Sequence, residues 1–168
     1  MRGLYAIVDD SAARPPLELV SAYIRGGAAV VQLRLKRAGA RELLSVAKAA
    51  VSLCDAAGVL LIVNDRPDVA KLAGAAGVHL GQDDLPVKDA RAVFGPDALI
   101  GVSTHSDGEL DAALAAGADY LGFGPVFATA SKPGAALPPP HGVEGLARAV
   151  KRAGRVPVVA IGDRKSVV

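Results

Sequence analysis

The chain has 168 residues, enough for one domain with a substantial core, and its net charge of +2 without a basic run excludes an electrostatic nucleic-acid binder. Hydrophobic residues make up 51% and aromatics 4%, with no Trp, so the core must be built from Ala, Val, Leu and Ile. A lone cysteine, Cys54, excludes an internal disulfide. No apolar run approaches the ~20 residues that span a bilayer, and residues 1–10 read as a strand, so the expected setting is cytoplasmic.

Short apolar runs begin near Leu4, Val30, Val59, Gly77, Leu99, Asp119 and Val156. Between them lie helical stretches over Leu17–Arg25, Ala40–Ala57, Pro67–Ala73, Val87–Phe94, Gly108–Ala116 and Gly142–Ala153. Glycines punctuate the helix ends, and Pro67 and Pro86 stand where helices start. A βα pattern repeated in this way predicts a parallel sheet with helical crossovers and no second domain. The first strand ends in Val8-Asp9-Asp10, without the Gly-rich phosphate turn of a doubly wound fold. Polar residues follow nearly every run, as they do where strand ends converge on one face of a (β/α)8 barrel. The expected class is therefore α/β, a (β/α)8 TIM barrel, with seven βα units in this chain.

The second run, Val30 to Lys36, alternates. Val31, Leu33 and Leu35 fall on one face, and Gln32, Arg34 and Lys36 on the other. Two cations on a buried face require an anion; a half-exposed edge strand is the plainer alternative. Asn64-Asp65 and Asp83-Asp84 follow the third and fourth runs. Carboxylates on neighbouring strand ends can share a Mg²⁺ ion, which takes few carboxylates plus substrate phosphates. The competing reading is that Asp65 and Asp84 simply begin the next helices, where acids favour the dipole. Ser103 follows the fifth run, and Ser106 has the position of a helix cap. His79 reads as hydrogen-bonded packing, His141 as solvated and Cys54 as core filler. Gly122 and Gly124 remove side chains from one face of the sixth strand, which would open room for a ligand. Thr129, Ser131 and Lys132 lie just beyond, and Gly162 ends the last run, where a backbone N–H could approach a phosphate. Cations, carboxylates, an amide and hydroxyls at strand ends suggest departure of a metal-bound diphosphate.

These segments together resemble the thiamine-phosphate synthase family. The matching pieces run from Gln32-Leu33-Arg34-Leu35-Lys36 through Asn64-Asp65, 78–84, 101–105, 122–127 and 129–132 to 158–162, in family order. The resemblance implies a (β/α)8 barrel. It also implies coupling of 4-amino-5-hydroxymethyl-2-methylpyrimidine diphosphate to 4-methyl-5-(2-phosphoethyl)thiazole through a pyrimidine-methyl cation. It would place Mg²⁺ on Asp65 and Asp84. The diphosphate would be gripped by Arg34, Lys36, Asn64, Ser103 and Lys132, and the pyrimidine seated by Gln32. Thr129, Ser131 and Gly162 would lie near the thiazole phosphate. Its partners are small molecules, without nucleic acid or membrane, and a homo-oligomer is left open. A thiazole tautomerase of the same family would carry a histidine after the sixth strand's glycine; Pro125 stands there, which favours the synthase. Against the family pattern, residues 163–168 read as a non-native tail, such as translated sequencing adapter, after an incomplete barrel over 1–162. On that reading the chain is expected to be poorly stable and weakly active, or a phosphate-binding fragment without activity.

Overall fold

Short β-rich runs alternating with Ala-rich amphipathic segments fold as alternating strands and helices. The structure, a computed structural model, describes residues 3–128 and 139–162. The strands are β1 (Leu4–Asp9), β2 (Ala28–Arg34), β3 (Leu60–Asn64), β4 (Gly77–Leu80), β5 (Leu99–Thr104), β6 (Tyr120–Phe123) and β7 (Val158–Ala160). The helices are α1 (Pro16–Arg25), α2 (Ala40–Ala56), α3 (Pro67–Ala73), α4 (Val87–Phe94), α5 (Asp107–Ala115) and α6 (Gly142–Ala153). Sheet order follows chain order, β1-β2-β3-β4-β5-β6-β7. A doubly wound sheet would reverse that order at its switch point, so the topology is that of the (β/α) barrel class. The expected tail at 163–168 and the candidates Thr129, Ser131 and Lys132 lie outside the described residues.

The chain divides into two compact units, one of Met1–Leu80 with Asp84–Ile100, the other of Gly81–Asp83 with Gly101–Val168. In the first, β1 pairs with β2, β2 with β3 and β3 with β4, all parallel. Both faces of β2 are buried: Val31 and Leu33 are fully covered, and Gln32 on the opposite face is 3% exposed. Neighbours on both sides and burial on both faces rule out the edge-strand alternative. Strand geometry stops at Arg34, so Leu35 and Lys36 belong to the turn that follows. Leu33→Ala should cost about 3 kcal/mol, because the packed site cannot collapse around the lost atoms. Urea unfolding checks this; a midpoint unchanged from wild type would show a looser core.

Helix α2 buries Leu43, Ala47, Ala50 and Cys54, a stripe three to four residues apart that packs on the sheet. Cys54 is fully buried, and that burial, helped by the charge of Asp55, pushes its thiol up to about 11, so it is an inert filler as expected. Helix α3 begins with Pro67 at its first position and stops at Gly74, whose φ of +75° closes the last turn.

In the second unit β5 pairs with β6 and β6 with β7, again parallel. β7 covers only Val158–Ala160, shorter than the expected run from Val156 to Ile161, because Pro157 cannot donate to the ladder. The Ser106 hydroxyl accepts the Glu109 N–H at 3.2 Å, the predicted cap of α5. Glu109 in return accepts the His105 N–H at 2.7 Å. Among the described residues no helix is long and apolar enough to cross a membrane.

Candidate active site

Parallel register decides which side chains share a face. Asp9 pairs with Arg34 across β1 and β2, and Gln32 with Ile62 across β2 and β3. One further step sets Arg34 beside Asn64, and Asn64 pairs with His79. Asp9, Arg34, Asn64 and His79 therefore form one polar row at the C-terminal ends of four adjacent strands. Ile7, Gln32, Ile62 and Gly77 form the row beneath it. Gln32 and Arg34, the polar residues of the alternating run within β2, lie on the face of these two rows.

The two cations that required an anion have found carboxylates within the protein. Arg34 donates through Nη1 to Asp9 Oδ2. Lys36 Nζ lies 3.0 Å from Asp65 Oδ2, with Lys36 half exposed and Asp65 mostly covered. Gln32 Nε2 donates to the Tyr5 hydroxyl at 2.9 Å, which fixes the amide and leaves its oxygen as an acceptor.

Asp65 is built to point into this cluster. Its backbone has a φ of +62°, the single positive value among described non-glycine residues. The Asp65 N–H donates to the His79 carbonyl at 2.8 Å, and the Arg66 N–H closes a γ-turn on the Asn64 carbonyl at 2.8 Å. A non-glycine residue in this region costs energy and persists where its surroundings over-determine it. Asp65 and Asp84 stand just before the helices and not in their first turns: the cap positions belong to Arg66 and Pro86. Instead the Asp65 carboxyl is within hydrogen-bonding reach of Asp84. Burial pushes Asp65 above the ordinary carboxylate range, the neighbouring Asp84 adds to the rise, and Lys36 opposes it. Two carboxylates this close repel when both are ionised, and a cation between them would relieve that repulsion. A cleft of about 190 Å³ opens here, lined by Leu35, Lys36, Leu43, Asn64, Asp65 and Arg66. Among the described residues no three His, Cys, Asp or Glu converge on one point.

Ser103 lies within β5, in the second unit, and its carbonyl accepts Gln82 Nε2 at 2.6 Å. His105 donates from Nδ1 to the Gly124 carbonyl at 2.6 Å. The expected ligand space at Gly124 is corrected. A Cβ there would sit 2.1 Å from the Ile161 carbonyl oxygen, so the missing side chain admits backbone. Gly162 is required in the same way: its φ is +105°, and a Cβ would meet Pro125 Cα at 2.6 Å. The reading of His141 as solvated also fails. Its ring packs on Phe123 with centroids 4.7 Å apart, and Nε2 is buried without a partner among the described residues. His79 is 9% exposed, as expected for a packed strand histidine. Tyr5 and Asp9 were not singled out from the sequence. Their roles depend on which residue of β2 each faces, and neither has a local signature.

The profile described as Thiamine monophosphate synthase matches residues 4–166. A thiamine-phosphate synthase of Anaeromyxobacter dehalogenans is 49% identical over 161 residues, covering 95% of this chain and 69% of the relative. One from Chlorobium luteolum is 50% identical over 147 residues, covering 88% of this chain and 68% of the relative. The solved structure of a thiamine phosphate pyrophosphorylase from Pyrococcus furiosus superposes with a TM-score of 0.84 at 36% identity, over 95% of this chain and 75% of that one.

Proposed function

The chain belongs to the thiamine monophosphate synthase family, and we propose that it couples a pyrimidine-methyl diphosphate to a thiazole phosphate, yielding thiamine phosphate and diphosphate. The observation that carries this reading is the contact of Asp65 with Asp84 beside the Lys36 ammonium. Two hard oxygen donors in contact beside an ammonium suit Mg²⁺, which is usually bound by one or two carboxylates and completed by phosphates and water. Asp65 and Asp84 would hold the ion. When bound, it neutralises charge developing on the departing diphosphate.

The chain's own groups divide the remaining work. Arg34 offers a planar fork of donors and Lys36 a mobile point charge to the diphosphate oxygens. Lys36 is tied to Asp65 in the free protein and would be available to phosphate where Asp65 held the cation. Asn64 supplies an amide beside Arg34. The Gln32 oxygen, left free by the Tyr5 hydrogen bond, accepts from the amino group of the pyrimidine. As the C–O bond to the diphosphate breaks, the electron pair leaves with the diphosphate and the thiazole nitrogen bonds to the methylene carbon. Ser103 and Lys132 complete the diphosphate grip in this reading. Thr129, Ser131 and Gly162 serve the thiazole phosphate. Small-molecule substrates and a cytoplasmic setting belong to the same proposal.

Thermal unfolding tests the binding half of this reading. Inorganic diphosphate with Mg²⁺ should raise the Tm by several degrees, while either alone has a much smaller effect. An equal rise with diphosphate alone would remove the metal from the site, and no rise under any condition would remove the site itself.

A further inference from the structure

An acid at the edge of an anion site is unfavourable on charge alone, yet Asp9 stands in the same polar row as Arg34. Its carboxylate is held at both oxygens. Oδ1 accepts the Ser11 N–H at 2.9 Å, and Oδ2 accepts from Arg34 Nη1. The Asp9 backbone carbonyl also accepts the Ala12 N–H at 3.1 Å, so the turn that fixes Asp9 is itself closed. Both side chains of the pair are about three-quarters covered. The contact joins the last rung of β1 to the last rung of β2, which makes it as rigid as the sheet.

We infer that Asp9 is a positioning residue for the diphosphate-departure step, clamping the Arg34 guanidinium so that its remaining N–H donors face the leaving group before substrate arrives. The inference rests on the proposed synthase reading and adds a residue to it. An unclamped arginine loses rotamer freedom when it grips a ligand, and binding would have to offset that loss. A guanidinium has five N–H donors; one is spent on Asp9, and the rest keep a fixed plane. Although burial pushes the Asp9 carboxyl upward, the Ser11 hydrogen bonds and Arg34 outweigh it and hold it below the ordinary range. Asp9 therefore stays ionised at neutral pH, and the clamp is set in the free protein. The cost is Coulomb repulsion between Asp9 and the diphosphate. That repulsion is tolerable because the pair meets the ligand as an arginine whose charge is only partly offset.

The test is a double-mutant cycle on the full chain, read as kcat/KM for the pyrimidine diphosphate with Mg²⁺ present. Asp9→Ala should lower this value about 30-fold when Arg34 is present and less than twofold in an Arg34→Ala background. The KM for the thiazole phosphate should stay within twofold. Asp9→Asn, which keeps one acceptor oxygen, should recover most of the loss. Thermal melts of each variant separate folding from positioning. A merely structural Asp9 would give the same loss in both backgrounds and overturn the inference. So would a gain in kcat/KM with Asp9→Asn, which would show that charge repulsion dominates. If the wild-type chain releases no diphosphate with both substrates and Mg²⁺, the synthase reading fails and takes this inference with it. Silence of Arg34→Ala alone would also overturn the inference, because Asp9 would then have no working arginine to position.

Discussion

Asp65→Asn is expected to lower Mg²⁺-dependent turnover by about 10²–10³-fold and at the same time to raise the melting temperature. Loss of activity follows because the amide cannot supply the anionic oxygen that, with Asp84, would hold the cation. The gain in stability follows from linkage. Burial and Asp84 raise the folded-state pKa of Asp65 above its ordinary 3.8, so the native protein binds this proton more tightly than the unfolded chain does. That contribution is fully present below 3.8 and is lost as pH rises through the higher folded value. Above that folded value the wild type carries a carboxylate charge beside Asp84 that the asparagine variant lacks. Losing the Lys36 bridge offsets little, because Lys36 is half exposed. Asparagine also tolerates the positive φ of +62°, which alanine would not. The expected rise is ~2 °C at pH 8 without Mg²⁺, shrinking to nothing near pH 3. Calorimetric scans at both pH values check it. A variant less stable than wild type at pH 8 would mean that the Lys36–Asp65 bridge outweighs the repulsion.

Gly77→Ala should be among the most damaging single-methyl additions to this chain. The new Cβ would lie 2.1 Å from the Leu99 carbonyl oxygen and 2.7 Å from Leu99 Cβ, and backbone cannot move aside as a flexible side chain does. Gly77 opens β4, and the Leu99 N–H bonds to the Ala76 carbonyl at 3.1 Å, so relief of the clash would pull on that hydrogen bond. The expected cost is about 3 kcal/mol, or roughly 6–12 °C in Tm for a domain of this size. Gly58→Ala is the matched control: its φ is +66°, but nothing lies within 4 Å of the added atom. It should cost only ~1–2 kcal/mol from backbone strain. Equal losses at the two positions would show that the close approach at Gly77 relaxes freely.

Helix bounds were legible wherever proline or glycine marked them: α3, α4 and α6 begin and end where Pro67, Pro86, Gly142 and the flanking glycines place them. The seven strands were legible as apolar runs because Ala, Val, Leu and Ile have few other places to go in a chain without Trp. The polar face of β2 was legible from its alternation. What those cations touch was not. Arg34 meets a residue 25 positions earlier, and only the β1/β2 register reveals it. The same limit explains Gly124 and His141. A glycine that admits a ligand and one that admits the Ile161 backbone look alike in sequence. A histidine beside prolines gives no sign that Phe123 will cover its ring.

The central claim is that strand ends bearing Asp65, Asp84, Lys36 and Arg34 drive departure of a metal-bound diphosphate and its replacement by a thiazole. The direct measurement incubates the purified 168-residue chain with the pyrimidine diphosphate, the thiazole phosphate and Mg²⁺, and follows diphosphate and thiamine phosphate together. The account predicts that the two products appear in equal amounts, that both vanish when Mg²⁺ is chelated, and that both return when it is restored. Diphosphate binding without either product, or conversion of the thiazole phosphate alone, would contradict it.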